Sequence, residues 1–268
     1  MRTMTFCATV MLFIFTATCL FSPQTVAKSQ DLLVNKLSDD AYVLRFSNSW
    51  TNIGLLQIGN SVVLIDPAAG NGNLEALTQF MKDTFQYSSC YVLNTHEHPD
   101  HTSGNDYFLS KGCPLIDNVD NLEGLQALNF DAHTLSDRVF YHQASNSMFI
   151  GDIYETRGRA LPTFWSGGMA ALSQAVDGIL ALGDDSTVII PGHGAPTNNE
   201  QLAAYRTHSA DWLATVKTLS GNGLSARKMS QNEEVQRMVE RFNINGMTPY
   251  INEPSLIRFI EKTEAMLE

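Results

Sequence analysis

Basic residues are scarce in this chain: its 268 residues hold 17 Lys and Arg against 28 Asp and Glu, a formal net charge of −11. A surface so acidic repels phosphate backbones, which argues against nucleic acid as a partner. Long apolar runs are missing too. Beyond residue 27 no segment approaches the roughly 20 apolar residues that a spanning helix needs. There is no internal repeat and no low-complexity linker. Cysteine is sparse, with four in all, two of them inside the first 27 residues.

Those first residues stand apart. Arg2 precedes an apolar run from Phe6 to Phe21, followed by the small-residue stretch Ser22-Pro23-Gln24-Thr25-Val26-Ala27. That order is expected of a secretory signal over 1–27, removed on export to the periplasm or the exterior. Two alternatives stay open, a membrane anchor and a lipid on Cys19. Thr9, Thr16 and Thr18 interrupt the run, and Thr18 is bulky for the residue before a lipidated cysteine. Cleavage removes only Arg2 from the charged set, so 17 basic residues become 16 against 28 acidic ones. Residues 28–268, in a chain that is 44% hydrophobic, can bury the core of one large domain. Cys90 and Cys113 remain, each opening an apolar run. They are expected either to pair as a disulfide, if those runs are adjacent parallel strands, or to stay as buried free thiols.

The periodicity from Ala41 to Pro67 is that of strands, with Gly59-Asn60 as a tight turn and Asp66 ending the run Val62-Val63-Leu64-Ile65. Leu74, Leu77, Phe80 and Met81 recur at helical spacing before a strand from Cys90 to Thr95. A helix over 103–110, a short strand at Leu115, and strands at 139–142 and 147–150 follow. The stretch containing Leu122, Leu125 and Leu128 is ambiguous. Met169, Leu172, Val176, Ile179 and Leu180 form one helical face, and Thr187 to Ile190 is a buried strand. From Glu200 onward the pattern is helical, broken near 221–223 and 246–254. Strands interleaved with helices predict an α/β layered domain.

The densest chemistry lies in Asn94-Thr95-His96-Glu97-His98-Pro99-Asp100-His101, with three imidazoles and a carboxylate within six residues at a strand end. Imidazole nitrogen and carboxylate oxygen suit zinc, and loops at strand ends on a rigid sheet are where such sites are held. This HxHxDH segment resembles the signature of the metallo-β-lactamase superfamily. Other motifs of that family follow in order. They are Asp66 after its strand, Asp131-Ala132-His133-Thr134, Phe149-Ile150-Gly151-Asp152 and Pro191-Gly192-His193-Gly194. Together they span residues 41 to about 195.

The resemblance implies a four-layer αβ/βα sandwich with a helical C-terminal segment. It also implies one cation on His96, His98 and His133, a second on Asp100, His101 and His193, and Asp152 bridging them. Asp66 is implied to support the histidine loop, the alternative being a plain strand-end turn former. Ala132 stands where the family usually has glycine, and His142 is the alternative to His133. His208 falls in a helical pattern and is expected to be a packing or surface residue.

Two zinc ions are the implied cofactors, although iron or manganese suits the same donors. The implied reaction is hydrolysis of an ester, thioester, lactone or amide-type bond in a small-molecule substrate by a metal-bridging hydroxide, with Asp100 as ligand and proton acceptor. Asp152 stands where zinc β-lactamases usually carry Cys or Ser, so β-lactam hydrolysis is the second reading, and iron-dependent oxidation of sulfur compounds a third. Arg157, Arg159 and Trp165, on a Gly-rich loop just after Asp152, are expected either to bind an anionic, partly apolar substrate or to form a solvated loop whose tryptophan caps the core.

Overall fold

The computed structural model describes residues 31–70, 72–158, 160–162 and 166–267. The proposed signal segment, Arg159 and Trp165 therefore lie outside the described residues. Two five-stranded sheets stack face to face. The first has the order β1 (Leu32–Ser38), β2 (Ala41–Phe46), β3 (Ile53–Ile58), β4 (Ser61–Ile65) and β5 (Ser89–Leu93). The second runs β10 (Thr197–Asn198), β9 (Val188–Pro191), β8 (Ser147–Gly151), β7 (Asp137–His142) and β6 (Leu125–Phe130).

Both sheets follow one plan. Antiparallel neighbours lead to a single parallel pair, β4 with β5 and β8 with β9. A parallel pair needs a crossover, supplied by α1 (Leu74–Thr84) in the first sheet and α4 (Gly168–Leu182) in the second. Strand β4 shows why its sequence after Ser61 is unbroken by polar residues. Val63 and Ile65 enter the core between the sheets, while Val62 and Leu64 face the outer cluster containing Leu77 and Met81 of α1. A strand covered on both faces is apolar throughout.

Four layers result. Helices α1 and α3 (Asn105–Ser110) cover the first sheet through Leu77, Met81 and Phe108. The inter-sheet core joins Val43, Leu56, Val63 and Leu93 to Phe140, Phe149 and Ile190. On the far side α4 and α5 (Asn199–Gly221) pack Leu172, Val176, Trp212 and Val216 against Val139, Met148, Ile150 and Ile189. Helices α6 (Ala226–Ser230), α7 (Glu233–Glu240) and α8 (Glu253–Ala265) complete that layer, where the Trp212 indole stacks on Phe259 at 4.6 Å. This is the expected α/β sandwich with a helical C-terminal segment. No helix among the described residues is long and apolar enough to cross a membrane.

Several local details depart from the pattern reading. The helix expected over 103–110 is α3, starting two residues later, and a further short helix, α2 (Pro99–Thr102), precedes it unannounced. The strand expected at Leu115 is a lone parallel bridge to Val92. Beside that bridge the Cys90 and Cys113 sulfurs are 1.95 Å apart with Cα atoms 4.8 Å apart, a disulfide across 23 positions of sequence. Closing a loop of that size restricts the unfolded chain and stabilises the fold by about 3 kcal/mol. Urea unfolding of the oxidised protein against a Cys90→Ala/Cys113→Ala double variant is expected to show a loss of about that size. Coincident unfolding curves would show that the bridge contributes nothing.

Candidate metal centre

All the clustered residues sit just beyond the C-terminal ends of β4, β5, β8 and β9, or in the β6–β7 loop. Asp66 comes first. It ends β4 in a left-handed backbone conformation, φ 53°, which non-glycine residues seldom adopt and which turns its side chain across to the β5 loop. There its Oδ1 accepts from the Thr95 amide at 2.7 Å, and its Oδ2 accepts from the Thr95 hydroxyl at 2.6 Å. Oδ2 also lies 2.9 Å from Nδ1 of the fully buried His101.

These contacts assign protons. The single Thr95 hydroxyl proton goes to Asp66, so at 3.1 Å that oxygen can only accept from His96 Nδ1. His96 Nε2 is left with a lone pair facing the site. Likewise Asp66 takes the Nδ1 proton of His101, and the Trp50 carbonyl takes that of His193 at 3.0 Å. In each case the outer partner orients the ring and frees the inner nitrogen.

The inner nitrogens converge. His96 Nε2 is 3.0 Å from His98 Nδ1, which is 3.2 Å from His133 Nε2. These spacings are close to about 3.3 Å, the edge of a tetrahedron with the 2.0–2.1 Å arms of zinc–imidazole bonds. On the other side His193 Nε2 lies 3.1 Å from Asp100 Oδ2, and His101 Nε2 lies 3.9 Å from the same oxygen. Asp152 stands between. Its Oδ2 is 3.9 Å from His96, 3.7 Å from His133 and 3.5 Å from His193, and its Oδ1 is 3.5 Å from His101.

Three ligand groups follow, one of His96, His98, His133 and Asp152, one of Asp100, His101 and His193, and one of Asp152, Glu155 and His193. Imidazole lone pairs crowded this closely repel unless a cation lies between them. The buried His101 Nε2 has no hydrogen-bond partner. The residues present therefore fit divalent metal.

Charge follows the same geometry. Burial, then the proximity of His101, lowers the His96 pKa to about 4, so that ring is neutral and able to donate its electron pair. Burial would lower His101 as well, but Asp66 and Asp152 outweigh it and push it up to about 10. Burial alone would raise Asp152, yet His101 and His193 hold it far below the ordinary carboxylate range. The carboxylates of this site draw positive charge inward.

Two glycines make room. A Cβ on Gly192 would strike the Asp152 carboxylate and come within 2.7 Å of the His101 ring. Gly151, at φ 54°, lets β8 pass Thr95, whose Oγ1 would lie 2.6 Å from an added Cβ.

His142, the alternative to His133, lies at the far end of β7, buried and 2.7 Å from the Ser145 hydroxyl. His208 meets the edge of Phe242 at 6.1 Å. Glu97 is exposed. Arg157 is exposed with its guanidinium 5.0 Å from the Trp50 ring.

Pattern reading missed several residues at the site. Trp50, 66% exposed, sits on the β2–β3 loop beside His193. Glu155 is half-buried next to Asp152 and His193, and burial raises its pKa. Asp137 is 2% exposed and accepts from the amides of Ala132 and Thr134 and from the Thr134 hydroxyl, pinning the loop that presents His133. Only the acidic residue three positions after Thr134, at the start of a strand, signals that capping role.

A model described as the metallo-β-lactamase superfamily matches residues 51–112. A probable hydroxyacylglutathione hydrolase of Schizosaccharomyces pombe is 26% identical over 168 residues, 54% of this chain and 64% of that protein. Another from the same organism, glo2, is 29% identical over 135 residues, 42% and 52% of the two lengths. The chain thus spans less than two thirds of these relatives. Among solved structures, DIM-1 metallo-β-lactamase superposes with a TM-score of 0.54 at 14% identity, covering 69% of this chain and 99% of that one. TMB-1 gives 0.53 at 13% identity, covering 67% and 97%. At such identities the likeness is one of fold.

Removing Asp66's orienting role by Asp66→Asn is expected to weaken metal binding by about 10- to 100-fold, read by competition with a chromophoric chelator. Asp137→Ala leaves two loop amides without their acceptor and is expected to cost about 1–3 kcal/mol in urea unfolding; an unchanged midpoint would show the loop is held otherwise.

Proposed function

We propose that the chain is a member of the metallo-β-lactamase superfamily, and on that premise that it is an exported, binuclear metallo-hydrolase cleaving an acyl bond, a thioester foremost. The observation that carries this reading is the pair of ligand groups sharing the neighbourhood of Asp152. His96, His98 and His133 would hold one cation, Asp100, His101 and His193 the other, and Asp152 both. When bound, such a pair supplies Lewis acidity and makes hydroxide available near neutral pH, and zinc fits the imidazole-rich donors.

The side chains do the rest. Asp100 is 59% exposed at its side chain, yet its Oδ2 reaches His193 at 3.1 Å, so it lies where the buried ligands meet incoming solvent and substrate. There it orients the attacking water and accepts its proton. The Thr51 hydroxyl donates to the Asp100 carbonyl at 2.6 Å and fixes that turn. Trp50 offers an exposed aromatic face on the rim, and Arg157 above it offers a positive charge, a pairing that suits an anionic acyl group with an apolar part.

The two Schizosaccharomyces pombe relatives carry the name hydroxyacylglutathione hydrolase, which favours an acylated thiol as substrate. An all-His and Asp ligand set supports the general hydrolase over the β-lactamase reading. Export is supported by the leader-like residues 1–27 and by the Cys90–Cys113 bridge, a bond that persists in oxidising compartments.

Metal-loaded protein assayed against thioesters, lactones, β-lactams and phosphate esters is expected to hydrolyse the thioesters, and His98→Ala or chelation to abolish turnover. Iron in stoichiometric amount with oxygen uptake, and no hydrolysis, would overturn the reading. For an acidic thioester, Arg157→Ala is expected to raise KM about tenfold, the loss of one rim charge pair, with kcat nearly unchanged. Unaltered kinetics would remove Arg157 from the substrate site.

A further inference from the structure

Glu155 has no part in the reaction as derived above, yet it is drawn into the metal centre. Three residues past Asp152, it is half-buried and presents a carboxylate oxygen within 4.8 Å of ligand atoms of both Asp152 and His193. Among the described residues no N–H or O–H donates to that carboxylate. The nearest guanidinium, Arg157, is stacked over Trp50 at 5.0 Å, and no ion pair among the described residues joins it to Glu155. Asp100 and Asp152 also approach the same imidazole, at 3.1 and 3.5 Å from His193 Nε2. Three carboxylates around one imidazole repel one another unless positive charge lies among them. The fully buried Nε2 of His101, without a hydrogen-bond partner, lies 3.5 Å from Asp152 Oδ1.

We propose that Glu155 is a further ligand of the cation at the His193 position. That position then carries oxygen from Asp100, Asp152 and Glu155 and nitrogen from His101 and His193. Its neighbour carries three imidazoles and one carboxylate. The two positions are chemically unequal. Four mainly nitrogen donors suit tetrahedral zinc, whereas five donors with three carboxylates suit a harder ion of higher coordination number, such as Mn(II) or Fe(II). The inference rests on the binuclear reading above.

The test counts metal rather than turnover. Full-length protein stripped of metal is given one equivalent of zinc and then titrated with Mn(II), with free Mn(II) read by electron paramagnetic resonance and bound metal by elemental analysis. The parent is expected to take up one zinc and one Mn(II). Glu155→Gln is expected to keep the zinc, which also shows that the site is folded, and to bind Mn(II) at least about tenfold more weakly. Glu155→Asp, which retains the carboxylate, is expected to recover part of that affinity. Equal Mn(II) affinity in parent and Glu155→Gln would overturn the inference and leave the hydrolase reading intact. A parent chain that takes up neither metal would overturn the reading beneath it.

Discussion

One carboxylate, that of Asp66, holds the metal centre in order. Placed beyond the end of β4 in a left-handed conformation, it binds the backbone and hydroxyl of Thr95 and the ring of His101 at once. Through Thr95 it also settles which nitrogen of His96 faces inward. A residue that binds no cation in this reading thus sets the tautomers of two that do. The cost of an unusual backbone angle is offset by three hydrogen bonds in a buried setting, where unmade bonds are expensive.

The rest of the arrangement follows from two parallel strand pairs in facing sheets. Loops leaving the C-terminal ends of β5, β8 and β9 meet at one edge of the sandwich. The Asn52 side chain secures that meeting by donating to the carbonyls of Pro191 and Gly194, both at 2.8 Å, which ties the residue just before β3 of the first sheet to the last histidine turn of the second. Gly151 and Gly192 leave the space that packed imidazoles need. Packing, backbone geometry and electrostatics therefore agree about where positive charge belongs.

Much of this was legible in the residues themselves because strand-end motifs are local. Val62 to Asp66 and His96 to His101 declare both their strands and their chemistry within a few positions, and His133, Asp152 and His193 follow in similar settings. What escaped detection depends on partners distant in sequence. Leu122, Leu125 and Leu128 recur at a spacing of three and mimic a helix, but pairing with β7 makes 125–130 a strand whose Leu125 and Ala127 face one core and Leu128 and Phe130 the other. Strand β1 is largely exposed and lacks the alternation that marks a half-buried strand. Trp50 and Glu155 reach the site only because the β2–β3 loop and the turn after β8 fold toward His193, which no neighbouring residue announces.

The donor clusters around His98 and around Asp100 each draw on both sheets. The group around His98 draws His96 and His98 from the first and His133 and Asp152 from the second, and the other draws Asp100 and His101 from the first and His193 from the second. Both of these clusters exist only when the two halves are closed on one another, so a divalent ion held in either would recognise the assembled molecule. By mass action it would then work as a rivet between the two halves. Whatever secures such an ion also decides how long the sandwich stays shut.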